Sequence, residues 1–320
     1  GVPWHRVAVP TAALLDEWPA AVARAEGFGV NGHLVAKRCL AAAIRAADYR
    51  ITLTGEGADE ALLGYAFLAA DASGSGTALD AAALWAANPV AHGVMLPDGV
   101  GLDLSPIEAA WGWVPTWLRA KAVLGARLTS LMKTEWAHER LTAAVARWAS
   151  SEIPRSNAPR VHQAAAAWAR RALGGYMLPA LADAPEAGMG IENRVPFLDA
   201  SVLLTATSWA PAATGGPLET KAPLRRLLER RGLASIAARP KHPFEAPPLW
   251  SHPGVRTTLR TLWSDPEVWR STPFSPAAVV GMMDRLDAAD AAERQRWEPV
   301  VATLLSVVSF AQAYGLESPL

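Results

Sequence analysis

Residues 51–65 read ITLTGEGADEALLGY. An apolar, strand-like run ends at Leu53, an apolar, helix-like run begins near Glu60, and between them lie two glycines and a concentration of acidic side chains. A plain turn needs one glycine and one capping carboxylate, so the excess of backbone freedom and negative charge requires a cause. In an open parallel sheet, ligands sit beyond the carboxyl ends of the strands, which makes the turn after Leu53 the place to look for a site. Gly55 and Gly57 permit conformations or close approaches that a Cβ forbids, and exposed amides in such a turn can face phosphate oxygens or a ribose. Asp59 and Glu60 admit two readings. They are first-turn acids that offset the positive end of a helix macrodipole, or Asp59 binds a magnesium ion bridging phosphates, because Mg²⁺ takes a few carboxylate oxygens and completes its shell with water and phosphate. In the second reading Glu56 faces the substrate.

Working outward, GVPWHRVAVPT at residues 1–11 reads as an entering strand, with Val7 and Val9 alternating. LLDEWPAAVARAEGFG (14–29) and GHLVAKRCLAAAIRAADY (32–49) read as helices, the first closed by glycine. The order strand, helix, helix, strand, turn, helix predicts a parallel sheet covered by helices. DASGSGT (71–77) is a loop, and from about 78 to 180 the periodicity is mostly helical, broken by a proline and glycine loop near residues 88–106. TKAPLRRLLERRG (220–232), SPAAVVGMMDRLDAA (275–289) and RWEPVVATLLSVVSFAQAY (296–314) continue a helical second half. Trp111, Trp113 and Trp117 cluster among the 14 tryptophans and read as core or groove-lining residues.

Composition narrows the function. The 320 residues carry 30 Lys+Arg against 30 Asp+Glu, so no global field draws nucleic acid or an anionic membrane, and a charged site must be local. Cys39 is the only cysteine, which excludes an internal disulfide, a thiolate zinc cluster and a dithiol redox pair, and fits a reducing cytoplasm. No run approaches eighteen apolar residues and no signal-peptide pattern opens the chain, so a membrane partner is not expected. The seven histidines show no zinc spacing. GIENRVPFLDASV (190–202) reads as a turn in which Asp199 caps the next helix and Arg194 pairs with Glu192 or Asp199.

Taken in order, HLVAKRCLAAAIRAADYR (33–50), LTGEGADEALLGY (53–65), ENRVPFLD (192–199), KAPLR (221–225) and RPKHPF (239–244) resemble the synthetase domain of the glutamine-hydrolysing asparagine synthetases, and more widely the β-lactam synthetases and lasso-peptide cyclases. The likeness spans nearly the whole chain and is weakest between about 80 and 155. It implies an α/β fold with a parallel sheet of the adenine-nucleotide alpha-hydrolase, or PP-loop ATP pyrophosphatase, type, divided into an α/β nucleotide-site part (1–70) and a mostly helical part (78–320). It implies an ATP- and Mg²⁺-dependent ligase that adenylates a small-molecule carboxylate, releases pyrophosphate and forms an amide with ammonia or a small amine. By the same resemblance Thr54, Gly55 and Gly57 line the cofactor, Asp59 holds Mg²⁺ and pyrophosphate, Glu56 contacts the substrate, and Lys221 lies near the phosphates. Lys241 stabilises charge on the pyrophosphate and on the later tetrahedral intermediate, and Asp183 matches an acidic position on the acceptor side.

Two departures set further expectations. No amidotransferase half with an N-terminal nucleophilic cysteine is present, and nothing in residues 1–50 matches the serine-glycine-glycine-x-aspartate-serine pyrophosphate loop. The chain is therefore expected to be a partial synthetase domain, inactive until an N-terminal segment or a glutaminase partner completes it. The alternatives are a binding or scaffolding relative and a macrocyclising or β-lactam-forming enzyme. Ala184 stands where an arginine or other polar residue is common, which leaves the acceptor, and so aspartate as substrate, open.

Overall fold

A computed structural model of the chain describes residues 4–65, 67–68, 71, 101–151, 158–208, 220–239 and 246–316. Among these residues the only sheet has two strands, β1 (Ile51–Leu53) and β2 (Glu192–Arg194), which run parallel with Ile51 opposite Glu192, Thr52 opposite Asn193 and Leu53 opposite Arg194. The ladder continues past both ends: the Glu192 amide donates to the Arg50 carbonyl at 2.8 Å, and the Thr54 amide donates to the Arg194 carbonyl at 3.0 Å. Side chains alternate across the pair as strand geometry demands. Thr52 and Asn193 face inward and are partly buried, while Ile51 and Leu53 stand exposed on the other side.

The sheet corrects two expectations. Residues 4–10 form no strand; they are irregular and mostly exposed, and end at Pro10, which stands at the N-cap position of the first helix without a side-chain cap. ENR, read as part of a turn, is instead the strand beside β1. Its polar side chains hide the strand from a hydrophobicity reading, because one face is exposed and the other is filled by Asn193. The rest of that reading holds. Arg194 pairs with Glu192 at 2.8 Å, and the Asp199 carboxylate accepts from the Ser201 amide at 2.9 Å at the start of the following helix.

The remainder is helical, so the fold is a mostly helical α/β arrangement. In chain order the helices are α1 (Thr11–Ala25), α2 (His33–Ala46), α3 (Ala58–Ala61), α4 (Ser105–Trp111), α5 (Thr116–Thr129), α6 (Thr134–Ser151) and α7 (Arg160–Trp168). A π-helix, Ala169–Asp183, runs from α7 into α8 (Ala184–Ala187). After β2 come α9 (Ala200–Ser208), α10 (Ala222–Arg230), α11 (Ala234–Ala237), α12 (Pro253–Trp263), α13 (Pro276–Ala288) and α14 (Ala291–Ala313). The sequence supplies the starts of the last helices. The Asp290 carboxylate accepts from the Glu293 amide at 2.8 Å, Ser275 caps α13 and His252 caps α12, each satisfying a helix-end donor that has no partner within its helix. The helix expected from Glu60 onward is interrupted after α3, where Leu63 takes a left-handed φ of 50°, and Phe67, Leu68 and Asp71 are helical again.

The main core joins the two ends of the chain. Trp18 and Val22 of α1, Leu34 and Val35 of α2, Trp250, Trp263, Met282 and Met283, and Val300 and Leu304 of α14 are all fully buried in one cluster. Ser306 ties this interior by hydrogen bonds. Its hydroxyl accepts from Trp18 Nε1 at 3.0 Å and from the Gly29 amide at 2.9 Å, and it donates to the Gly29 carbonyl at 3.0 Å. A second cluster of Phe67, Leu68, Trp117 and Trp168, with Trp111, Trp113 and Trp148 against it, places the expected tryptophan group in packing. Glu298 is buried on α14, where it accepts from the Leu249 amide at 2.9 Å, and burial pushes its carboxyl well above the ordinary glutamate range.

Ser306→Ala leaves the Trp18 and Gly29 donors buried without an acceptor, and is expected to lower unfolding free energy in urea by about 1–3 kcal/mol. Glu298 binds its proton more tightly in the native than in the unfolded chain. Its contribution is fully present below the ordinary glutamate range and is lost as pH rises through the raised native value. Urea midpoints measured across that window are expected to fall with pH in the natural chain and to fall less in Glu298→Gln.

Candidate functional site

The turn after β1 is shaped by its glycines. Gly57 has φ 85°, in the left-handed region, and a Cβ there would lie 2.1 Å from Leu198 Cδ2, so the close neighbour is a side chain of the VPFLD segment. Above Gly55 a Cβ would meet nothing within 4 Å, leaving open space over the turn. Thr54 fixes the turn to β2: its hydroxyl donates to Asn193 Oδ1 at 3.0 Å. Beneath it, the Thr52 hydroxyl donates to the buried Glu186 carboxylate at 2.6 Å.

The two acids Asp59 and Glu60 separate by direction. Glu60 turns inward, where its Oε1 accepts from Tyr65 Oη at 2.8 Å and from Trp168 Nε1 at 2.9 Å. Burial raises the pKa of the Glu60 carboxyl, against the pull of these bonds and with help from the Asp59 charge. The same burial, with the Glu60 charge, raises the Tyr65 hydroxyl. Asp59 faces the other way and pairs with Lys221 Nζ at 3.0 Å, both side chains about a quarter exposed. Gly64 makes that pairing possible, because a Cβ on it would lie 2.0 Å from Asp59 Oδ1 and 2.5 Å from Lys221 Cε. Lys221 itself has φ 57°, a left-handed conformation that costs a non-glycine residue about 1–2 kcal/mol. Such strain persists only where its surroundings over-determine it.

Glu56 pairs with Lys37 of α2 at 3.2 Å, with 20% and 22% of the lysine and glutamate side chains exposed. These are closer to interior pairs than Arg194–Glu192, whose side chains are 58% and 59% exposed. On the same helix, one turn earlier, burial and the Lys37 charge lower His33 to about 4, so its imidazole is neutral.

The structure thus brings together Thr54, Gly55, Glu56, Gly57, Asp59 and Lys221. Asp183 lies apart in its contacts: it is exposed at the end of the π-helix, one turn before Glu186, and among the described residues none of the ion pairs includes it. Lys241, with its neighbour His242, lies outside the described residues, as do loop positions 72–77 and residues 88–100. Three residues have roles that sequence alone does not single out: Lys37 and Glu186 lie in helices without a charge pattern that points at the turn, and Glu60 reads as a first-turn acid beside Asp59 although it is buried.

Among the described residues no group of three or more His, Cys, Asp or Glu side chains gathers to hold a metal, and no helix is long and apolar enough to cross a membrane. The arrangement defines an α/β protein with a polar, lysine-flanked turn at the carboxyl end of a parallel strand. The family model for asparagine synthase matches residues 1–310, and the chain belongs to the asparagine synthase family. That family is one of ATP-dependent amide-forming ligases. No curated protein and no solved structure matches the chain.

Gly64→Ala is expected to force Asp59 and Lys221 apart and to lower stability in urea by about 1–3 kcal/mol, the usual cost of overpacking. Gly281, inside α13, has nothing within 4 Å of an added Cβ. Gly281→Ala is the matched control and is expected to raise stability by about 0.5–1 kcal/mol.

Proposed function

We propose that this chain activates a carboxylate with ATP as an acyl-adenylate, releases pyrophosphate, and passes the acyl group to an amine or ammonia. The observation that carries the reading is the Asp59–Lys221 pair, which joins the GEGADE turn to the KAPLR segment at 3.0 Å. An acid and an ammonium side by side, each about three-quarters buried, at a turn whose Gly55 has open space where a Cβ would stand, suit a polyphosphate whose charge grows as its α–β bond breaks.

The donor set is compatible with magnesium. Mg²⁺ needs one or two carboxylates and fills its shell with water and phosphate oxygens, so a dedicated cluster is not required. Asp59 would hold the ion, which when bound neutralises charge on the departing pyrophosphate. Lys221, which pairs with Asp59 here, would contact a phosphate oxygen of the bound nucleotide. The turn amides around Gly55 and Gly57 donate to the nucleotide, Thr54 holds the turn against β2, and Glu56 orients the reacting substrate. Lys241 is assigned the second cation on pyrophosphate, and Asp183 the acceptor side.

The outward face of the strand pair supports a completing element. Ile51 and Leu53 are 57% and 77% exposed, whereas parallel strands ordinarily are covered on both faces. A segment encoded upstream or a partner chain packing there would supply the pyrophosphate loop that residues 1–50 do not match. A scaffolding role is the competing reading.

The test is pyrophosphate release with ATP, Mg²⁺ and a panel of carboxylic acids, for the chain alone and with any upstream-encoded segment or partner added. The completed protein is expected to release pyrophosphate, and Asp59→Asn to reduce the rate about 10²–10³-fold, the usual effect of removing one pre-positioned charge-stabilising group. Absence of release with every acid would favour the scaffold.

A further inference from the structure

We propose that Lys37 is a positioning residue for Glu56: its ammonium anchors Oε1 so that the rest of the carboxylate is presented to the substrate. This rests on the reading of Glu56 as the substrate-facing acid. Glu56 sits between Gly55 and Gly57, on the part of the chain with the greatest backbone freedom, and a carboxylate there has no fixed direction unless something outside the turn holds it. Lys37 provides that hold at 3.2 Å. It does so from a rigid base, since Leu34, one turn away, and Val35 on the same helix are fully buried in the main core.

The other charges of α2 turn elsewhere. Arg38 is bound by Glu17, Arg45 lies 3.6 Å from Asp48, and His33 is neutral. Lys37 is therefore the one α2 cation directed at the turn. Its pairing mirrors that of Lys221 with Asp59, so the two acids of the turn that face away from the core are each held by one lysine from a separate element. The contact uses one carboxylate oxygen and one ammonium, so arginine can supply it; a planar fork is not required.

The experiment uses the full chain together with whatever segment or partner it needs for activity. Lys37→Met is expected to lower kcat for amide formation about 10- to 100-fold, the scale of a misplaced reacting group, with KM for ATP unchanged. Lys37→Arg is expected to restore most of the rate. Glu56→Gln alone and the Lys37→Met/Glu56→Gln double variant are expected to be equally impaired, because the lysine acts only through the glutamate. As an activity-independent readout, the Lys37 ammonium resonance in ¹⁵N-edited NMR is expected to shift in Glu56→Gln and to stay in place in Glu192→Gln. Additive losses, failure of arginine to rescue, or an ammonium signal indifferent to Glu56→Gln would each overturn the proposal. If the natural chain forms no amide at all, the functional reading fails by itself, and the NMR comparison still decides whether Lys37 holds Glu56.

Discussion

Parallel pairing of three residues with three residues, Ile51–Leu53 against Glu192–Arg194, holds the candidate-site end of this molecule together. It brings the GEGADE turn beside the VPFLD segment, and Leu198 then packs over Gly57 so closely that only glycine fits. Thr54 bonds to Asn193 across the pair, and Thr52 reaches the buried Glu186 below it. Each contact joins stretches distant in the chain, and each depends on the register of the ladder, because a one-residue slip of β1 would turn Thr52 outward, away from Asn193 and Glu186, and Ile51 and Leu53 inward.

Electrostatics then divides the acids of one short turn among different tasks. Glu60 is directed into the aromatic cluster and is satisfied by Tyr65 and Trp168, which anchors the turn to α7. Asp59 and Glu56 stay at the partly open surface, each beside a lysine. Burial of about three-quarters of each side chain suits such pairs, because partial desolvation strengthens the attraction without the full cost of an interior charge. The left-handed backbone of Lys221 and the crowding at Gly64 show how tightly that geometry is specified.

The core that supports this end of the molecule is built from the termini of the described chain. α1 and α14 share the hydroxyl of Ser306, and the tryptophans of the 250–269 region stack behind it, with Trp269 Nε1 donating to the Trp263 carbonyl at 2.9 Å. Hydrophobic periodicity made most of these helices legible, since apolar residues at helical spacing bury one face whatever the partner. It could not reveal β2, whose residues Glu192, Asn193 and Arg194 are all polar, nor that the alternating valines of residues 4–10 pair with no strand among the described residues.

The sequence by itself determined the helical class of the second half, the glycine- and acid-rich turn at the carboxyl end of a strand, and the family, because glycine spacing, acid density and ordered motif strings are local properties of the chain. Tertiary structure alone decided which acid of the turn is buried and which is exposed, which lysine meets which carboxylate, and what lies over each glycine. Those outcomes depend on distances between segments far apart in the chain, and such distances are set by strand register and core packing, not by any property that one residue carries by itself.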